Sequence, residues 1–271
     1  MSFQPKRVPS WLLMVLALAA SLRGAAAPAQ GFAAIASPAR FELAGQPGAT
    51  LRAVLELTNA AAQTGHYAIK TADWDFDRDH NVVFEDKLAA SSCRPWVAIE
   101  RRELNLAAGA RLRYRFEIAI PAGIPPRECR FALLIEGRDP ASGSAGPVEF
   151  PVSGRLGVIV YVAVGEARAE LTLTASGLVT EQGRPLPAVT VRNSGLAHGR
   201  LAGFLDGRDA QGTRFTLIPQ ALPILPGQVR TVPMRPERND GTAGGPVYPL
   251  QVEGQLESGA HRLPFSHRYA P

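Results

Sequence analysis

Asp73, Asp75, Asp77 and Asp79 alternate through the run Asp73-Trp-Asp-Phe-Asp-Arg-Asp-His-Asn81, a spacing at which carboxylate oxygens can converge on one hard cation. An EF-hand register beginning at Asp75 puts His80 where the sharp turn needs glycine and leaves Asp86 in place of the bidentate glutamate, so the run reads better as an Asp- and Asn-rich hairpin turn than as a calcium loop. The five histidines, at positions 66, 80, 198, 261 and 267, fall in turns or near the C-terminus. None has a Ser, Cys or carboxylate neighbour at a catalytic spacing, and they read as solvated turn histidines. No Gly-rich phosphate loop and no His-Glu-x-x-His pattern appears, so the sequence points to no enzyme, no cofactor and no metal.

Cys93 and Cys129 are the only cysteines. Their meaning depends on compartment, and the N-terminus supplies it. Lys6 and Arg7 precede the apolar run Trp11 to Ala20, and Ala27-Pro-Ala29 closes the segment, which is the layout of a secretory signal peptide over residues 1–29. No later run reaches roughly 18 uninterrupted apolar residues, so stable membrane insertion is not expected. In an exported chain two cysteines most simply form one disulfide, and closing the loop between them stabilises by roughly 3–4 kcal/mol in the chain-entropy model. Cleavage after Ala29 removes three of the 29 basic residues and none of the 24 acidic ones, taking the net charge from +5 to about +2. The remaining arginines are scattered through strand-like runs with no basic stripe, which argues against nucleic acid as a partner.

The elements that would position any site come in two copies. Val54-Leu-Glu-Leu-Thr-Asn59, then Tyr67 to Trp74, then the acidic turn, is echoed by Ala188-Val-Thr-Val-Arg-Asn193, Arg200 to Leu205 and Asp206 to Gly212. A Leu-rich stretch around a glycine follows in each, at Gly109 and Gly227. Short alternating runs with Gly, Pro, Asn and Asp punctuation predict an all-β chain of two tandem immunoglobulin-like β-sandwich domains, residues 30–164 and 165–271, fixed to each other by a short join at Gly165-Glu-Ala167. Ser37 to Leu43 reads as a first strand and Leu51 to Thr58 as a half-buried one. Tyr67 to Phe76 reads as a bulged strand, because Tyr67 and Ile69 fall out of phase with Trp74 and Phe76. Arg138 to Pro147 reads as a mobile loop.

After that loop, Val148, Phe150, Val152, Gly154 and Leu156 alternate with Glu149, Pro151, Ser153 and Arg155, and an apolar run continues to Val164. Pro151 lacks an N–H and belongs on an edge strand. An edge strand with a row of large apolar side chains invites another chain to pair with it.

Here the chain resembles the periplasmic pilus-assembly chaperones of the chaperone-usher pathway (PapD-like). The likeness lies in the strand ending at Asn59, in Tyr67 and Trp74, in Leu106-Ala-Ala-Gly109 leading into an Arg-bearing strand, in Pro126-Arg-Glu-Cys-Arg-Phe131-Ala-Leu-Leu, and in the apolar run before the second domain. It implies two sandwiches arranged in an L, a periplasmic location, and β-augmentation of an incomplete pilus-type protein subunit, with an outer-membrane usher as a further partner. Carried over, Val148, Phe150, Val152 and Leu156 are the donor-strand residues. Arg40 matches one of the two basic residues that anchor the subunit's C-terminal carboxylate. The other, a lysine in the family, aligns with Ile159, and Arg155, of the same parity on the strand, is its candidate substitute. The rival reading is a secreted two-domain immunoglobulin-like binding, scaffold or adhesion protein whose last strand is simply core. The second copy lacks counterparts to Arg40, the cysteines and the donor row, so function is expected in the first.

Overall fold

The computed structural model describes residues 32–77, 80–89, 92–138, 141–145, 148–152 and 154–271, so the expected signal peptide lies outside the described residues. The first set of strands is β1 (Ala34–Ser37), β2 (Arg40–Gly45), β3 (Thr50–Asn59), β4 (Gly65–Phe76), β5 (Val82–Glu85), β6 (Val97–Ile99), β7 (Glu103–Leu106), β8 (Arg111–Ala119), β9 (Arg127–Gly137), β10 (Ala141–Ala145), β11 (Val148–Val152) and β12 (Arg155–Val164). The second set is β13 (Leu171–Glu181), β14 (Arg184–Asn193), β15 (Ala202–Arg208), β16 (Arg214–Pro219), β17 (Val229–Arg238), β18 (Leu250–Ser258) and β19 (His261–Tyr269). Among the described residues the only helical element is a 3-10 turn at Arg94–Trp96, and no helix is long and apolar enough to cross a membrane. The chain is all-β and forms two sandwiches.

In the first sandwich one sheet runs β1-β3-β8-β6 and the other β2-β12-β9-β4-β5, with β7 added to β4. Alternation dictates which side chains meet between them: Leu55 and Leu57 of β3 and Tyr114, Phe116 and Ile118 of β8 face Phe131, Leu133 and Ile135 of β9 and the even-numbered valines of β12. The expected first strand, Ser37 to Leu43, is two strands. The chain breaks at Pro38, so that β1 pairs with β3 in one sheet and β2 pairs in parallel with β12 in the other. In the second sandwich β17 performs the same change of sheet, pairing with β14 over Val229–Arg230-Thr-Val-Pro233 and with β16 from Met234 onward. The expected disulfide is present, joining Cys93, just before the 3-10 turn, to Cys129 on β9.

The repeat has a chemical basis. Asn59 and Asn193 end equivalent strands and are fully buried, and each accepts at its backbone carbonyl from the glycine of the following loop, Gly109 N–H and Gly227 N–H, both at 2.9 Å. Each side chain also bridges its own turn to the next Leu-containing stretch: Asn59 Nδ2 donates to the Leu106 carbonyl, Asn193 Nδ2 to the Ile224 carbonyl.

Two further expectations fail. β4 keeps one register against β9 from Tyr67 to Ala72, with no bulge. Tyr67 and Ile69 face the sandwich core, while Ala72, Trp74 and Phe76 belong to the opposite face, which is itself covered by Leu225 of the second sandwich. A strand buried on both faces mimics an out-of-phase one in sequence. Ala141–Ala145, expected as part of a mobile loop, is strand β10, because its small residues pair antiparallel with β11.

Candidate functional site

The described carboxylates of the acidic run, Asp73, Asp75 and Asp77, have separate partners. Asp73 accepts from Ala89 N–H and from the Ser92 hydroxyl, Asp75 lies 3.5 Å from Arg130, and Asp77 accepts from the Asn81 N–H at 2.8 Å inside the β4–β5 hairpin. No group of three metal-ligating side chains occurs among the described residues. The hairpin reading holds, and Asp209 repeats it in the second sandwich by accepting from Gln211 and Thr213 N–H groups.

The last strand of the first sandwich carries a different feature. β12 is paired with β9 along its whole length, but its other side meets β2 only from Ile159 onward, where Ile159 faces Arg40. From Arg155 to Val158 no strand among the described residues pairs with that side. The hydrogen bond from Gly137 N–H to the Gly154 carbonyl fixes which groups point where: the even positions of β12 bond to β9, so Arg155 and Gly157 direct N–H and C=O outward, as Ile159 does when its N–H reaches the Ala39 carbonyl. The expected continuous strand from Val148 to Val164 is broken between Val152 and Arg155, and β11, carrying Val148, Phe150 and Val152 at alternate positions, forms a two-stranded ribbon with β10. Leu156 packs against the sandwich core.

At the inner end of this free edge lies the cleft between the sandwiches. Arg40, first residue of β2, is half-exposed and its Nε donates to Glu42 Oε1 at 2.8 Å. Arg155 is not beside it: four positions along β12 from Ile159, roughly 13 Å at strand rise, it pairs with Glu136 at 2.7 Å. A cation of the second sandwich shares the partner of Arg40: Arg200 Nη1 donates to the same Glu42 oxygen at 2.6 Å. Arg200 also donates to His198 Nε2 and lies 5.5 Å over the Tyr161 ring.

His198, expected as a solvated turn residue, is buried, with its side chain 8% exposed. It stacks on Tyr161 at 3.7 Å, and both its backbone N–H and its Nδ1 meet Glu128 Oε2, at 2.9 and 2.5 Å. Glu128 N–H in turn donates to the Leu196 carbonyl, and Arg230 of the second sandwich lies 4.6 Å over Phe76 of the first. Nothing in the spacing of His198 or Arg200 marks them out, because a contact between sandwiches has no sequence period. Burial pushes the Tyr161 hydroxyl up to about 12.

Burial alone would raise the Glu42 carboxyl, but Arg200, then His198 and Arg40, outweigh it and hold it below its usual range. A depressed folded-state pKa gives stability that is present above the unfolded value and lost as pH falls through the folded one. The melting temperature should therefore fall on acidification through and below the ordinary carboxylate range, and Glu42→Gln should flatten that part of the profile. An unchanged profile in the variant would exclude Glu42 as a source. The charged or titratable groups around Glu42 are Arg40, His198, Arg200, its strand neighbour Tyr161 and, through His198, Glu128, with Arg168 and His261 lining the same cleft.

No protein-family model matches this chain, and no curated protein matches it. Among solved structures, it is similar to the class 5 fimbriae chaperone CfaA, with 12% identity over 88% of this chain and 99% of that one, at a TM-score of 0.46. It is similar also to a chain of the Salmonella enterica SafA pilin complex with the SafB chaperone, with 12% identity, 88% and 98% coverage and a TM-score of 0.45. A third is the Pseudomonas aeruginosa CupB2 chaperone, with 11% identity, 87% and 100% coverage and a TM-score of 0.44. These likenesses carry no argument about function, and the reading of function here rests on the geometry of the edge and the cleft.

Proposed function

We propose that this protein is a periplasmic chaperone that captures an incomplete β-rich, pilus-type subunit by adding a strand to it, and hands it on for assembly at an outer-membrane usher. The observation that carries the reading is the outer side of β12 at Arg155–Val158, which offers outward N–H and C=O groups and ends against Arg40. β2 runs parallel to β12, so a captured strand of the same polarity along this edge would end in its C-terminus where β2 begins, beside the Arg40 guanidinium. Val148, Phe150 and Val152 are the donor residues that would enter the subunit, in the same parity as the core-facing valines of β12; Leu156, expected as a fourth, packs against the chain's own sandwich core. Strand completion needs no cofactor. Domains at residues 30–164 and 165–271, behind a cleaved signal peptide at 1–29, are part of the same proposal.

The test uses the outward N–H of Arg155. Arg155→Pro removes one donor from the free side and places a ring there, while the bonds to β9 come from its even-numbered neighbours. Capture of a subunit lacking its last strand should fall at least about tenfold, a loss of roughly 1.4 kcal/mol or more, with the melting temperature nearly unchanged. Full capture by a folded Arg155→Pro variant would remove the edge from the mechanism.

A further inference from the structure

The His198 imidazole stands between a carboxylate of the first sandwich and a guanidinium of its own. Its Nδ1 lies 2.5 Å from Glu128 Oε2, and Arg200 Nη1 donates to its Nε2 at 2.7 Å. A guanidinium has no acceptor, so Nε2 carries the lone pair, Nδ1 carries the proton, and the ring is neutral. Arg200 Nη1 gives its second hydrogen to Glu42 Oε1 at 2.6 Å, and that oxygen is 3.6 Å from His198 Nε2. The three atoms form a triangle in which one N–H group keeps two acceptors apart. The cluster is also short of bonds: Glu128 Oε1 and Arg200 Nε are buried with no hydrogen-bond partner among the described residues. A carboxylate buried beside a neutral ring lacks a counter-charge within its bonds, and a second proton on the ring supplies one.

We infer that His198 is a proton-operated latch between the two sandwiches: a proton taken up at Nε2 ejects Arg200 from between His198 and Glu42, and the imidazolium bonds to Glu42 directly. The inference goes beyond strand capture and does not depend on it. A proton from solvent adds to the Nε2 lone pair, the acceptor becomes a donor, and the Arg200 Nη1–H···Nε2 bond breaks. Two cations then face each other, and Glu42 Oε1 is the acceptor within reach of the new N–H. Imidazole is the side chain that makes this change between about pH 5 and 8. The latch has a fixed arm and a moving arm. Both N–H groups of His198 stay on Glu128 Oε2, the ring stays stacked on Tyr161, and Glu128 N–H stays on the Leu196 carbonyl. Arg200 loses its bond to Nε2 and its seat over the Tyr161 ring, and moves into the open cleft of about 680 Å3. The charged or titratable groups around His198 are Glu128 on β9, Tyr161 on β12, Arg40 and Glu42 on β2, and Arg200 on its own segment. Arg168 and His261 line the cleft beyond them, and Arg130, paired with Tyr161 across the sheet, is held by Asp75.

The experiment follows nitrogen-15 NMR signals of the purified protein from about pH 8 to about pH 5.5, a window above the ordinary carboxylate range. The His198 ring should show the Nδ1–H tautomer at the upper end and both N–H groups at the lower. The Arg200 Nε–H signal, assigned by its absence in Arg200→Lys, should be slow to exchange at pH 8 and lost to solvent exchange with the same midpoint. Protection of the His198 and Glu128 backbone N–H groups should persist throughout. His198→Gln keeps a donor for Glu128 and an acceptor for Arg200 but takes up no proton, so its Arg200 signal should hold across the window. Glu128→Gln, a second route if that variant does not fold, removes the counter-charge and should move the transition to lower pH by about one unit or more. His261→Gln, at the other cleft histidine, should leave the transition in place. An Nε2–H tautomer at pH 8, a His198 that protonates without moving Arg200, or an Arg200 transition that survives in His198→Gln overturns the latch. Loss of the Glu128 and Arg200 signals together overturns it as well, since that is opening of the whole junction.

Discussion

Asn59→Ala is expected to lower the unfolding free energy of the first sandwich by about 3–5 kcal/mol, because one fully buried side chain serves five partners. Its Nδ2 donates to the carbonyls of Gln63, Leu106 and Ala107 at 2.7, 2.9 and 3.2 Å, and its Oδ1 accepts from Ala61 N–H and the Tyr67 hydroxyl at 3.1 and 3.0 Å. Alanine removes all five bonds, and each group left buried without a replacement costs roughly 1–3 kcal/mol. Asn59→Asp should be no better, since a carboxylate cannot donate to the three carbonyls. Asn193→Ala removes a parallel set in the second sandwich, in which Nδ2 donates to the Ala197 and Ile224 carbonyls and Oδ1 accepts from Glu170 and Gly195 N–H groups. Urea unfolding followed by separate probes should show each variant moving its own sandwich most. A loss below about 1 kcal/mol in either would mean that the turn re-forms its bonds without the asparagine.

These asparagines also mark where sequence reading works. Asn59 and Asn193 close equivalent alternating strands, and each reports a chemistry that is local: a turn, a strand end and the glycine that follows. The all-β class, the Leu51 to Thr58 strand, the hairpin at Asp77 and the disulfide are legible for the same reason, since each follows from neighbours in sequence or from compartment. Pro38 was visible, yet its effect, sending β1 and β2 to different sheets, depends on which strand waits on each side. Trp74 and Phe76 looked out of phase because period-two reasoning assumes one wet face, whereas β4 has the sandwich core on one side and Leu225 on the other. The cleft was the least legible part. Arg40 could be singled out, but Arg200 and His198 reach the cleft only through the packing of one sandwich on the other.

The double variant Cys93→Ala/Cys129→Ala is expected to lose about 3–4 kcal/mol, the chain-entropy value for a loop of this length, and to lower the melting transition of the first sandwich by roughly 10 °C. The bond runs between layers: Cys93 precedes the 3-10 turn that leads into β6 of the β1-β3-β8-β6 sheet, and Cys129 sits on β9 of the facing sheet. Both cysteines are buried, so alanine removes sulfur packing as well as the cross-link. β9 is also the strand that holds β12 in register from Arg155 to Val164, which connects the disulfide to the free edge. The β9–β12 ladder does not itself pass through the cysteine side chains, however, so below the lowered transition the edge should persist and strand capture should match that of the parent. Capture measured at 25 °C and again above the variant's melting temperature separates the two roles. Loss only at the higher temperature assigns the bond to stability, and loss at 25 °C in a folded protein would assign it to the shape of the capturing edge.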